Sequence, residues 1–232
     1  MISNQKIVLH IPARDGSKRV PKKNLRLMNG KPMIDYAINA AIGAGITENI
    51  YVNTDSDEIE KYVTDNYDTI NIYKRNKKLS SDQASSDEFN LDLISKLGPD
   101  ILIMINPVCP LITSVEIKNA FDFFVLSEYD TLISCNSTKM QTFCESKPIN
   151  INISEQLAPS QNNRTVDILN WAVTIWDANK FIERMKKNGN AVLGENRFLY
   201  RINEYNSIKV SEEKDFLFAE KLLKLRSWDE QN

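Results

Sequence analysis

The chain has 232 residues, 42% hydrophobic and 26% charged, with a formal net charge of −2. That length and balance suit one α/β domain with a sizeable core and leave no run long enough to span a bilayer. The near-neutral total argues against a broad nucleic-acid-binding field, while three scattered cysteines and a single histidine argue against a zinc centre.

The first predicted element is the apolar run Lys6-Ile-Val-Leu-His-Ile11, a buried parallel strand by length and β-branched content. His10 lies inside it and is expected to be packed, not to serve as the base of a Ser-His-Asp machine. Before this strand, Met-Ile-Ser-Asn-Gln-Lys has no apolar signal core, so a cytoplasmic protein is expected. After it the chain turns on Gly16 and presents Arg14, Lys18, Arg19, Lys22 and Lys23 within ten residues. A cationic turn at the carboxyl end of the first strand of an α/β sheet suits nucleotide phosphates. A solvated basic loop is the plain alternative, and one glycine makes neither a Walker loop nor a dinucleotide fingerprint.

Strand and helix patterns then alternate, as a doubly wound, mostly parallel sheet requires. Pro32 to Ala44 reads as a helix with Pro at its start and Gly45 at its end. Asn49 to Asn53 reads as a strand, and Ser56 caps a helix that opens with acids. Ile70 to Tyr73 is the next strand and Ser85 to Leu97 the next helix. Asp100 to Ile105 is the most apolar segment and is expected at the sheet centre. A helix over Ser114 to Leu126 and a strand over Thr131 to Cys135 follow.

From 136 to 169 the texture turns to Asn, Ser, Gln and Pro, which predicts an excursion within a single domain covering 1–232. Trp171 to Trp176 then reads as a strand and Ala178 to Lys186 as a helix. Phe198 to Ile202 and Ser207 to Val210 read as short strands, and Ser211 caps an amphipathic closing helix.

Ile11-Pro-Ala-Arg-Asp-Gly-Ser-Lys-Arg-Val-Pro-Lys-Lys-Asn24, followed by Asn29-Gly-Lys-Pro-Met-Ile-Asp-Tyr-Ala-Ile38, closely resembles the opening of the acylneuraminate cytidylyltransferases. These CMP-sialic acid synthetases include enzymes for pseudaminic and legionaminic acid. Weaker similarity runs almost to the C-terminus. The resemblance implies a Rossmann-like nucleotide-diphospho-sugar transferase fold and a cytidylyltransferase joining CTP to a sialic-acid-like nonulosonic acid for surface glycan synthesis. It also implies a homodimer held by the excursion, with a nucleotide and a sugar acid as partners, and no nucleic acid or membrane.

Carried onto this chain, the resemblance places Arg14, Gly16, Ser17, Lys18, Lys23 and Asn24 at the triphosphate and ribose, with Arg14 and Lys23 as the catalytic cations. Arg75, Ser81 and Asp82 match a base-binding segment, although serine and aspartate before a helix can equally cap it. Ile105-Asn-Pro-Val-Cys-Pro-Leu-Ile112 matches a Gln-Pro-Thr-Ser-Pro-Leu-Arg turn, so Asn106 faces the sugar with a shorter reach than glutamine. Arg164 and Lys139 are candidates for the sugar carboxylate, and Asn170 opens the matching Asn-Gly-Ala strand, with Trp171 at the glycine position.

The main departure is Ile208-Lys-Val-Ser211, where relatives carry an Asp-Ile-Asp pattern that binds Mg²⁺. Ser211 and Asp215 remain weak candidates for a metal. The ion is held by the triphosphate, or Lys209 supplies charge in its place, or catalysis is lost. Three alternatives therefore stay open: another nucleotide, another sugar acid such as an eight-carbon ulosonate, or a non-catalytic nucleotide-binding relative.

Overall fold

The computed structural model describes residues 5–229; residues 1–4, on which the reading of the N-terminus rests in part, lie outside them. In chain order the strands are β1 (Ile7–Pro12), a small hairpin β2 (Leu27–Met28) and β3 (Lys31–Pro32), β4 (Ile50–Thr54), β5 (Asn71–Lys74), β6 (Ile101–Ile105), β7 (Thr131–Thr138), a second hairpin β8 (Phe143–Cys144) and β9 (Lys147–Pro148), β10 (Val166–Asp177) and β11 (Arg197–Arg201). The helices are α1 (Met33–Ala44), α2 (Asp57–Asn66), α3 (Ser86–Leu97), α4 (Ser114–Leu126), α5 (Ala178–Asn188) and α6 (Glu213–Asp229).

Seven strands form one sheet in the order β11-β7-β10-β6-β1-β4-β5. β1, β4, β5 and β6 run parallel, and every residue of β6 is buried, as a strand covered on both faces must be. Leu9, Ile11, Ile103 and Ile105 face α1, α2 and α4, whereas Val8, Leu102 and Met104 face α3 and α5. Helices on both faces make the sheet doubly wound. A third cluster packs Phe216, Ala219 and Leu223 of α6 against Val20, Met28 and Met33, so the closing helix braces the loop after β1.

Local chemistry explains the boundaries. Ser56 accepts the Ile59 N–H, and Ser85 with Glu88 and Thr113 with Glu116 close capping boxes on α3 and α4. Gly45 and Gly98 end α1 and α3 in the left-handed conformation that spares glycine a Cβ penalty.

The structure differs from the sequence reading in three places. β10 runs antiparallel to both β6 and β7 and starts at Val166, and β7 continues to Thr138. Residues 136–138 and 166–169 therefore belong to the sheet, and only the stretch between them leaves it. A register shift between Leu169 and Thr174, with Trp171 at φ 62°, interrupts β10 and hides its continuity from a period-2 pattern. Ser207 to Val210 is not a strand: the Ser207 hydroxyl donates to Asn136 Oδ1, and the Val210 N–H to the Val108 carbonyl. Finally, Ser211 does not cap α6. The Asp215 carboxylate accepts the N–H groups of Ser211 and Glu212, each at 2.9 Å, and does that work from inside the first turn.

Candidate active site

The carboxyl ends of β1 and β6 open into a cleft of about 500 Å³, the place where open α/β sheets receive ligands. One wall is the loop after β1, contributing Arg14, Ser17, Lys18, Arg19, Lys23 and Asn24. Facing it are Arg75 and Asp82 after β5, Ser86 and Phe89 of α3, the turn Asn106–Val108, and Ser211.

The loop is built for close turns. Gly16 has φ +78° and open space beyond its Cα. Lys22 is also left-handed, and its carbonyl accepts the N–H groups of Leu25 and Arg26. The Asp15 N–H is held by Asp55, and the Asn24 amide donates to the Arg14 carbonyl at 3.3 Å. Buried Asn24 leaves its Oδ1 without a partner beside the cleft, an acceptor suited to a ligand hydroxyl.

Five cations, Arg14, Lys18, Arg19, Lys23 and Arg75, line the cleft against one carboxylate, Asp82. Asp82 accepts Arg14 at 2.9 Å and Lys18 at 2.5 Å, and these two cations hold its pKa below the usual carboxylate range. Half-buried Lys23 donates to the Val210 carbonyl at 2.9 Å. Burial, then the charges of Arg19 and Lys209, push its ammonium pKa down. Like charges crowded at low dielectric are relieved by a polyanion, so phosphate is the complementary ligand.

Arg75 is almost wholly buried, donates to the Asn53 side chain and carbonyl at 2.8 and 2.9 Å, and lies 4.5 Å over the Phe89 ring. Burial lowers its pKa to about 10. Its side chain shapes the cleft wall more than it offers a free donor.

The structure therefore gathers Arg14, Ser17, Lys18, Lys23, Asn24, Arg75, Asp82, Asn106 and Ser211 around one space. Gly16 lies just outside it and shapes the turn. Ser81 is turned away, its hydroxyl accepting the Ala84 N–H. Asn170 is buried in a polar network with Ser134 and Asn136 instead of facing the cleft. Lys139 donates to the Gln161 carbonyl and Arg164 lines a separate surface hollow, because both belong to the excursion. Asp215 is tied to backbone amides, as described above. Sequence reasoning missed Phe89; its signal was a position three residues after Ser86, on the same face of α3.

A family model described as cytidylyltransferase matches residues 8–210, which takes in all of the seven-stranded sheet but Ile7 and every cleft-lining residue but Ser211. The chain belongs to the cytidylyltransferase family. Within that family it is 34% identical over 127 residues to an N-acylneuraminate cytidylyltransferase of Streptococcus agalactiae serotype V, covering 53% of this chain but 30% of that protein. The chain thus spans about a third of that relative's length. It is 28% identical to the post-translational flagellin modification protein B of Campylobacter coli, over 94% of this chain and 95% of that one. In fold it matches a CMP:2-keto-3-deoxy-manno-octonic acid synthetase solved with CTP, at TM-score 0.70 and 17% identity, over 95% of this chain and 99% of that chain. The cytidylyltransferase fold is thus an α/β fold with a mostly parallel sheet, as the alternation of elements predicts.

Proposed function

We propose that this cytidylyltransferase-family chain activates a sugar acid with CTP, releasing pyrophosphate and a CMP-sugar for surface glycan synthesis. The observation that carries the reading is the concentration of five cations against one carboxylate at the carboxyl edge of a parallel sheet. The anomeric hydroxyl oxygen attacks the α-phosphorus, its proton passes to solvent, the bond to the bridging oxygen breaks, and pyrophosphate leaves with the electron pair. Arg14 and Lys18 hold the phosphates, and Lys23 stabilises charge as it develops around the α-phosphate. Asn24 accepts from the ribose, Phe89 with Arg75 walls the base, and Asn106 faces the sugar. Catalysis here is positioning and electrostatics. Burial pushes the Cys109 thiol up to about 12, which removes it as a nucleophile.

Magnesium enters this reading as an ion carried by the triphosphate, since Asp82, the one carboxylate lining the cleft, is paired with Arg14 and Lys18, and Asp215 is bonded to the amides of Ser211 and Glu212. The sugar acid is of the sialic-acid-like nonulosonic class. The proposed compartment is the cytoplasm, where the three free thiols would stay reduced; among the described residues no helix is long and apolar enough to cross a membrane. The proposed assembly is a homodimer through the excursion, where Lys139 and Arg164 lie.

The direct test is pyrophosphate release from each of the four nucleoside triphosphates against a panel of eight- and nine-carbon sugar acids. Turnover confined to CTP with a nonulosonic acid is expected. Tight nucleotide binding with no turnover on any sugar acid would instead mark a non-catalytic nucleotide-binding protein.

A further inference from the structure

The segment Ile208-Lys-Val-Ser211 reaches the cleft at Ser211 and, through the Val210 carbonyl, touches Lys23 of the basic loop. Val210 clamps this segment: its N–H donates to the Val108 carbonyl at 2.7 Å, and its carbonyl accepts Lys23 Nζ at 2.9 Å. Its side chain is buried in the cluster under α6, while Lys209 is exposed and Ser211 lines the cleft. Lys209 lies near enough to Lys23 and Cys109 for its charge to act on both.

A protein-held divalent cation needs carboxylates with free lone pairs here. Asp82 is already paired with Arg14 and Lys18, and Asp215 is turned onto the amides of Ser211 and Glu212. Among the described residues no cluster of three or more His, Cys, Asp or Glu side chains is placed to hold a metal. The side chains present do not fit a protein-held Mg²⁺.

We propose that Lys209, acting beside Lys23, is a fixed ammonium that binds the terminal phosphates, so that the protein grips a nucleoside triphosphate without holding a metal ion itself. The assignment rests on the triphosphate reading of the cleft and adds to it a residue and a charge source. An ammonium on this clamped segment meets phosphate oxygens by charge-assisted hydrogen bonds, and its stem lets it follow them.

The test is calorimetric titration of the full chain with CTP and with CMP, in EDTA and in Mg²⁺, together with electron paramagnetic resonance of Mn²⁺ added alone. CTP affinity is expected to change by less than about threefold between EDTA and Mg²⁺, and Mn²⁺ alone should remain free. Lys209→Ala should weaken CTP by about tenfold or more and CMP far less, and Lys209→Arg should restore most of the loss. A merely structural role for Lys209 would weaken both nucleotides alike. Capture of Mn²⁺ by the protein alone, CTP affinity lost in EDTA, or unchanged CTP affinity in Lys209→Ala would each overturn the assignment and leave the triphosphate reading standing. Failure of every nucleoside triphosphate to bind the wild-type chain in either condition would overturn both.

Discussion

Lys23 carries the largest share of the chemical argument because its ammonium is placed where its charge is least comfortable. Burial lowers its pKa first and the neighbouring Arg19 and Lys209 lower it further, so the free protein releases this proton below the ordinary lysine value of 10.5. A bound triphosphate reverses those terms and raises the pKa. CTP affinity is therefore full at neutral pH and falls as pH rises through the depressed free-state pKa. Titrations across that alkaline range should show the fall, and Lys23→Arg should flatten it. Lys23→Ala should cost about 10²–10³ in turnover, the usual scale for removing one preorganised donor to a charged transition state. His10 titrates on the opposite side. It is completely buried, and burial with the Arg75 charge, opposed in part by the Asn90 side chain, lowers its pKa from 6.5 to about 3. The unfolded chain then binds a proton that the native chain refuses between those values, so stability present above pH 6.5 is lost as pH falls. At about 1.4 kcal/mol per pH unit, this one group removes roughly 2–3 kcal/mol by two units below 6.5. Denaturant midpoints of wild type and His10→Leu should diverge over that window by one proton's slope; parallel curves would refute the assignment.

Elements were legible in the sequence wherever one local signal decided them. Ser56, Ser85 and Gly45 announced helix ends, and the unbroken apolar run 101–105 announced a strand covered on both faces. The basic loop and its place after β1 were equally plain, because its five cations fall within ten residues of one another. What stayed hidden depends on distant partners. β10 reads as a strand only from Trp171, because its register shifts between Leu169 and Thr174, and its antiparallel direction is set by pairing with β6 and β7, not by its own pattern. Arg75 gives no sequence sign that it folds inward onto Asn53, nor Asn170 that it bonds Ser134. The turn between α5 and β11 is another long-range feature, and it separates two glycines that look alike in sequence. Both are left-handed, at φ +60° for Gly45 and +64° for Gly194. A Cβ on Gly45 meets open space, whereas one on Gly194 would sit 2.1 Å from Thr131 Oγ1 and 2.6 Å from Asp130 Oδ1. Gly45→Ala should therefore cost about 1 kcal/mol, the left-handed penalty alone. Gly194→Ala should add overpacking against a buried strand residue and cost roughly 2–4 kcal/mol. Equal losses in chemical denaturation would refute the packing explanation.

At the scale of the whole molecule the unexplained surface is the excursion between β7 and β10. Met140, Phe143, Ile149, Ile153 and Leu157 are all exposed there, and Ile168 of β10 is exposed beside its return. Exposed apolar side chains scattered singly are ordinary, but so many on one short segment mark a surface that water covers poorly. The segment is held in shape by polar bonds, not by a core. The Asn150 side chain donates to the Met140 and Arg164 carbonyls and accepts the Thr142 N–H, which ties the two ends of the arm together. A second copy of the chain is the occupant that symmetric burial favours, since one apolar arm can cover its own mate. Phe143→Asp combined with Leu157→Asp places charge on that face without touching the sheet or the cleft. Sedimentation of the wild type should give a dimer and the double variant a monomer, with nucleotide affinity unchanged in both. A wild-type monomer across the concentration range measured, or a double variant that stays dimeric, would show that the arm serves some other contact.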